Sequence, residues 1–476
     1  MSAASLGRNA SVARRRSGDV RIDSSHAEDA TPLRGAKTGF RGSKEIVTAK
    51  QPVSNRDSVQ SALLVLYKCL ADVAGKASMF IITVLAARRL SQHAFGVFSI
   101  ASTLGWMLAV IADFGIQLHL ARAVARHPED STRLLGRWLI VRLWTSASAV
   151  VAAAAALLVW GSSGLPILLF VIVYACNGLN EFLHYFYRGL SRSEIESSLT
   201  IWHRATLLAL AGAVLIWMPG VTALAVALLL PAVVTLAVSL RIALRLGREA
   251  SAAAPSPAVP TGRPAAGVEF RNEILPIGLG IVLSALYFRI DIFLVELWRG
   301  TQVVALYNAV FRLIEALRLF PAAVLAITLP LLVRAGDWRP LARVSLVITL
   351  FAAAATAALW ILAPRLIPAI YGTEYAAAVP TFRILALSFP LLSLNYALTH
   401  QLIVWSGERW YAATCAAALL VNVGLNARLI PALSIDGAAW ATLGTEVFLT
   451  TACAVGLQVV AVRRASRLVA ANAVGA

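Results

Sequence analysis

Charge is scarce in this chain: Asp, Glu, Lys and Arg make up 14% of its 476 residues, while 59% are hydrophobic. A soluble domain of this length carries roughly 25% charged residues, so a water-soluble globular class is excluded. Cysteine is scarce as well. Cys69, Cys176, Cys415 and Cys453 fall singly in apolar stretches without CxxC or Cys/His spacing, which argues against a disulfide framework or a metal site. There is no Asp-x-Asp pair and no GxxxxGK[ST] loop, so the chain is not expected to hydrolyse nucleotide or to use a metal-dependent glycosyl-transfer site. Period-2 alternation is missing, which removes a transmembrane barrel. Met1 is followed by Ser2, so the glycine needed for myristoylation is absent, and the charged opening is too long for a signal peptide. No cofactor is expected.

What the sequence does have is long apolar runs, each near the ~20 residues needed to cross a ~30 Å hydrocarbon core. Backbone amides in lipid must be satisfied within their own segment, so these runs are helices. The expectation is an all-α integral membrane protein with about 12 transmembrane helices. They fall near 60–86, 94–117, 138–160, 165–187, 199–217, 221–243, 274–297, 303–332, 341–363, 380–405, 410–430 and 436–462. The longest internal connection, rich in Ala, Pro and Ser, splits them six and six. The domains expected are a disordered basic tail over 1–57, a six-helix lobe over 58–246, a linker over 247–272, a second lobe over 273–462 and a short tail over 463–476. Leu179-Asn180-x-x-Leu183 and Leu394-Asn395-x-x-Leu398 hint at a repeat, which would be parallel because each half has an even number of spans.

The formal charge of +18 suggests nucleic acid until its placement is considered. Of 42 Lys and Arg, with those at span ends counted with the adjoining connection, 29 lie on the tail's side, 6 on the opposite side and 7 deeper within spans. That asymmetry puts both termini in the cytoplasm, and it requires membrane lipids rather than nucleic acid as the partner.

The ionisable groups inside spans carry the functional information. Lys68, Asp72 and Lys76 share one face of the first helix. Asp113 lies in the second span, Arg142 in the third, Glu181 and His184 in the fourth, and His203 and Arg204 in the fifth. Arg289, Asp291 and Glu296 lie in the seventh, and Asn308, Arg312, Glu315 and Arg318 follow nearly one face of the eighth. A charge at the bilayer centre costs about 2.5–3.5 kcal/mol. Internal ion pairing offsets that cost at single positions, as for Arg312 with Glu315. The whole set fits a central polar cavity lined by Lys68, Asp72, Lys76, Arg142, Glu181, Arg289, Asp291, Asn308, Arg312, Glu315 and Arg318. For Asp113, Arg142, Arg188 and Arg204 snorkelling to the interface is an alternative. The basic excess suits an anionic substrate such as a pyrophosphate. The acids Asp72, Glu181, Asp291 and Glu315 suit a coupling cation, Na+ or H+, and both assignments stay open.

The stretch from Lys76 through Ala86-Ala87-Arg88-Arg89-Leu90-Ser91-Gln92-His93-Ala94-Phe95-Gly96 to Asp113-Phe114-Gly115 resembles the opening of Wzx-type oligosaccharide flippases. Arg289-Ile290-Asp291, Ala305-Leu306-Tyr307-Asn308-Ala309, Phe320-Pro321, Tyr371-Gly372-Thr373-Glu374-Tyr375, Val421-Asn422 to Asn426, and Asp436-Gly437-Ala438 with Glu446 continue the likeness. It spans about Ser58 to Val462, and the long basic tail departs from it. The resemblance implies the multidrug/oligosaccharidyl-lipid/polysaccharide (MOP, MATE-like) exporter superfamily, with two six-helix lobes around a cavity that opens alternately to either side. It also implies a polyprenyl-pyrophosphate-linked oligosaccharide as substrate, moved across a bacterial inner membrane for surface polysaccharide. Polysaccharide polymerase and chain-length machinery are the implied partners. A multidrug/cation antiporter is the alternative, and a membrane glycan polymerase or ligase is disfavoured. The outer connection near 363–380 carries only Arg365 and Glu374 as charges, too little for an extramembrane active site.

Overall fold

The computed structural model describes residues 55–160, 164–253, 275–334, 339–405 and 407–474; the side chains of Lys68 and Asp72, two of the expected cavity residues, lie outside them. Among the described residues there is no strand. Among the described residues, seven α-helices precede the expected linker: α1 (Asn55–Arg89), α2 (Gln92–Asp113), α3 (Ile116–Arg126), α4 (Ser131–Trp160), α5 (Leu165–Gly189), α6 (Ser193–Trp217) and α7 (Val221–Ala253). Seven follow it: α8 (Leu275–Arg299), α9 (Thr301–Leu317), α10 (Leu319–Arg334), α11 (Arg339–Tyr371), α12 (Val379–Val404), α13 (Glu408–Leu433) and α14 (Ile435–Val474).

Ten of the helical segments are long and apolar enough to cross a membrane by themselves. The two remaining expected spans are α1 and the α9–α10 pair. The eighth span, expected to be continuous over 303–332, breaks at Arg318. Pro321 accounts for the break, because it has no N–H to give the preceding turn. The tight last turn of α9 shows in Arg318 N donating to Glu315 O at 3.2 Å. Two other boundaries shift. Helix α7 runs to Ala253, into the expected linker, and α14 runs to Val474, through the expected tail. Both extensions are rich in Ala, the strongest helix former, and they continue an existing helix without nucleation cost. The expected basic tail lies outside the described residues up to Ser54, and α1 starts at Asn55.

Residues 55–476 form one compact unit. Within it, packing repeats across the two halves. Helix α1 packs on α6 as α8 packs on α13; α4 on α5 as α11 on α12; α5 on α7 as α12 on α14; and α6 on α7 as α13 on α14. The same pairings between equivalent spans, in the same order, are what a parallel repeat produces. The halves meet where α2 crosses α8 and α9 and where α1 meets α9 and α11.

The turn from α2 into α3 shows how local sequence sets this up. Phe114 and Gly115 both take left-handed backbone, with φ of 45° and 79°. Asp113 accepts from Gly115 N at 3.1 Å and Gln117 N at 3.3 Å, satisfying amides at the start of α3. Helix α3 is amphipathic, burying Ile116, Leu120 and Val124 while Arg122 and Arg126 stay exposed.

Candidate functional site

One end of the seam between the halves is shut. Phe95 and Phe98 of α2 pack with Tyr307 and Phe311 of α9 and with Tyr371 and Tyr375, all buried in one apolar cluster. Gly96 lies so close to α9 that a Cβ there would sit 2.0 Å from the Thr301 carbonyl oxygen. Arg88 Nε donates to Ile370 O at 2.6 Å and its guanidinium also reaches Ala369 O, so α1 caps the end of α11. Tyr375 donates to Ala87 O at 3.2 Å.

Below this closure the seam opens into a cavity of about 980 Å³, bounded by helices of both halves. Its basic side chains are Lys76, Arg188, Arg204, Arg312 and Arg318, and its carboxylates are Glu181, Glu196 and Glu315. Lys76 and Glu181 are exposed, marking the side from which it is reached. The carboxylates are already engaged. Arg188 holds Glu196 at 2.6 Å and Glu181 at 3.4 Å, and Arg312 holds Glu315 at 2.7 Å. Arg204 and Arg318 have no carboxylate within ion-pair distance among the described residues. Arg318 lies instead over the Phe288 and Tyr396 rings, at 4.1 and 5.4 Å. Among the described residues, five cations against three neutralised carboxylates make the lining electropositive.

Four of the expected cavity residues do not line it. Arg142 is 1% exposed, beside Asp113 at 3.6 Å and donating to Ala109 O and Ser146 Oγ. Arg289 donates to Thr103 Oγ1 at 2.9 Å and Asn308 Oδ1 at 2.8 Å, and Asn308 donates to Ser99 Oγ at 2.8 Å. Asp291 accepts from the Tyr307 hydroxyl and from Ile292 N. These are packed networks. The helical face that carries them is covered by a neighbouring helix, α2 in the case of Arg289 and Asn308. Lys76, Glu181, Arg312, Glu315 and Arg318 do line the cavity, together with Arg188, Arg204 and His184.

The model of the polysaccharide biosynthesis protein family matches residues 65–335, more than half of the chain. The chain belongs to that family. The matched region runs from α1 through α10 and includes both walls of the cavity seam. Comparison with curated proteins finds no match. Among solved structures, the chain is similar to an inward-facing multidrug resistance MATE family transporter of the MOP superfamily, at 15% identity and TM-score 0.59, covering 84% of this chain and 95% of that one. An outward-facing transporter of the same description matches at 15% identity and TM-score 0.57, covering 85% and 96%. A MOP superfamily transporter from Pyrococcus furiosus, described as having a binding pocket of reverse polarity, matches at 15% identity and TM-score 0.52, covering 84% and 95%. At such identities the likeness shows the fold: this polysaccharide biosynthesis family member is a multi-pass membrane protein with the MOP transporter architecture.

Glu196 is the cavity residue that hydropathy misses entirely. The apolar run of the fifth span starts near 199, but α6 begins at Ser193 and carries Glu196 inward, 2% exposed, to meet Arg188. The signal available was the short Arg188-to-Glu196 connection, which holds opposite charges across a tight helical turn.

Proposed function

We propose that the chain is a flippase that takes a polyprenyl-pyrophosphate-linked oligosaccharide from the cytoplasmic leaflet and delivers it to the outer leaflet for surface polysaccharide synthesis. The observation that carries this reading is the electropositive cavity between the two halves, open at one end and sealed at the other. The uneven Lys and Arg distribution assigns the open end to the cytoplasm, where such lipids are made. Arg204, Arg312 and Arg318 supply the fork-shaped donors that suit phosphate oxygens, and the prenyl chain stays in lipid outside the bundle. Rocking of the halves about their seam then exchanges which end is shut, with the head group carried between them. A cation-exporting antiporter needs a lining of opposite sign, which disfavours that alternative.

In bacterial cells lacking the protein, prenyl-pyrophosphate-linked oligosaccharide is expected to build up on the cytoplasmic leaflet. Restoring the wild-type chain should relieve the build-up, and Arg204→Ala should not. Surface polysaccharide and leaflet distribution that stay normal without the protein would overturn the proposal.

A further inference from the structure

The cavity wall divides by what it leaves unpaired. Along the seam the unpartnered buried atoms are donors, Arg204 Nε on α6 and Arg312 Nε on α9. On α5 they are Asn180 Oδ1, an acceptor, and His184 Nε2, a ring nitrogen that can take either role. Both α5 side chains line the cavity, at 6% and 8% exposure, and being four residues apart they share one helical face.

Which atoms are left over is set from behind. Asn180 Nδ2 donates to Ala232 O of α7 at 3.1 Å, so Oδ1 is the atom left over. His184 Nδ1 lies 3.7 Å from the Glu181 carboxylate, so Nε2 is the ring nitrogen without a partner. The imidazole can take either role, but the unpaired amide oxygen beside it in the lining calls for a ligand that donates. A hydroxyl or an ammonium does so, and the excess of cations in the same cavity repels an ammonium while leaving a hydroxyl unaffected. Trp106 of α2 lines the same cavity and adds a flat apolar surface with one polar edge. Hydroxyl donors around an apolar face are the chemistry of a sugar ring.

We infer that Asn180 and His184, with Trp106 beside them, form a saccharide subsite that reads the sugar adjoining the pyrophosphate, while the arginines of the seam hold the pyrophosphate itself. This rests on the flippase reading and assigns its specificity to a different wall from its affinity. A site built to bond a hydroxyl discriminates strongly against a ligand that lacks it.

The test is binding to the purified full-length protein in nanodiscs. The probes are undecaprenyl pyrophosphate and the same lipid carrying a single glucose, galactose or N-acetylglucosamine. At least one glycosylated probe should bind the wild type about 3- to 10-fold tighter than the bare lipid, the range expected for one or two neutral hydrogen bonds. His184→Ala and Asn180→Ala should erase that increment and leave bare-lipid binding unchanged, with unaltered Tm as the folding control. His184→Gln, which restores an acceptor, should recover part of it. Arg204→Ala should weaken all probes alike. An increment that survives in both alanine variants overturns the subsite. Wild-type binding of the bare lipid with no increment for any sugar also overturns it and leaves the flippase reading standing. Absence of binding to every probe overturns both.

Discussion

Two kinds of arginine lie inside this membrane protein, and they do different work. Arg142 and Arg289 are 1% and 2% exposed, and carbonyl, hydroxyl, amide or carboxylate oxygens surround them. Arg204 and Arg318 border a cavity and have no carboxylate within ion-pair distance among the described residues. The first pair ties helices together, Arg142 within the first half and Arg289 across the seam. The second pair lines the cavity, where the proposed flippase reading puts the head group. An arginine in a span is therefore not in itself a sign of a binding site. What distinguishes the classes is whether a neighbouring helix brings the compensating oxygens.

The comparison can be broken from the buried side first. Arg142→Leu should lower stability by about 3 kcal/mol, because it leaves Asp113 buried with only two backbone amides for company. Adding Asp113→Asn should recover part of that loss in thermal unfolding of the purified protein. A Tm unchanged by Arg142→Leu would mean this arginine is not structural. Gly96→Ala places a Cβ 2.0 Å from the Thr301 carbonyl oxygen. It should cost about 2 kcal/mol and loosen the shut end, read as faster labelling of a cysteine introduced at Ser99.

From the cavity side, Arg204→Ala should leave Tm within a degree or two yet reduce flipping at least about 10-fold, the worth of one charge-assisted hydrogen bond. Glu315→Gln frees Arg312 from its 2.7 Å partner and should tighten binding of a pyrophosphate lipid by a few fold. Weaker binding in that variant would show Glu315 acting as an orienting group instead. The smallest effect belongs to Arg245→Ala. Its pair with Glu249, at 2.7 Å, is exposed to solvent, and neither Tm nor flipping should change measurably.

The comparison also explains what the sequence revealed. Spans, their pairing into halves and the sidedness of charge are one-dimensional properties, so they are legible from hydropathy and Lys/Arg counts. Helical faces are legible too. The i, i+3 spacing of Arg312 and Glu315 anticipates the pair that lines the cavity. What a single helix cannot reveal is which neighbour covers a face. Arg289 and Asn308 look like Arg312 and Glu315 in sequence, yet α2 lies over the former and supplies Ser99 and Thr103. Asn422 and Asn426, at i, i+4 in α13, illustrate the covered kind. They bond each other within α13, and Asn422 also reaches Thr445 of α14. Glu196 escaped because hydropathy ends a span where apolar residues end, while the helix itself continues.

The most direct test of the division between buried and cavity arginines is a flipping assay in vesicles. Wild type, Arg204→Ala and Arg289→Lys would be reconstituted with an undecaprenyl-pyrophosphate-linked saccharide, and the fraction accessible to an added glycosidase followed over time. The account predicts that Arg204→Ala inserts and folds normally but flips at least about 10-fold more slowly, while Arg289→Lys loses thermal stability and keeps the wild-type affinity for the lipid. Normal flipping by Arg204→Ala, or weakened lipid binding by Arg289→Lys at unchanged stability, would contradict it.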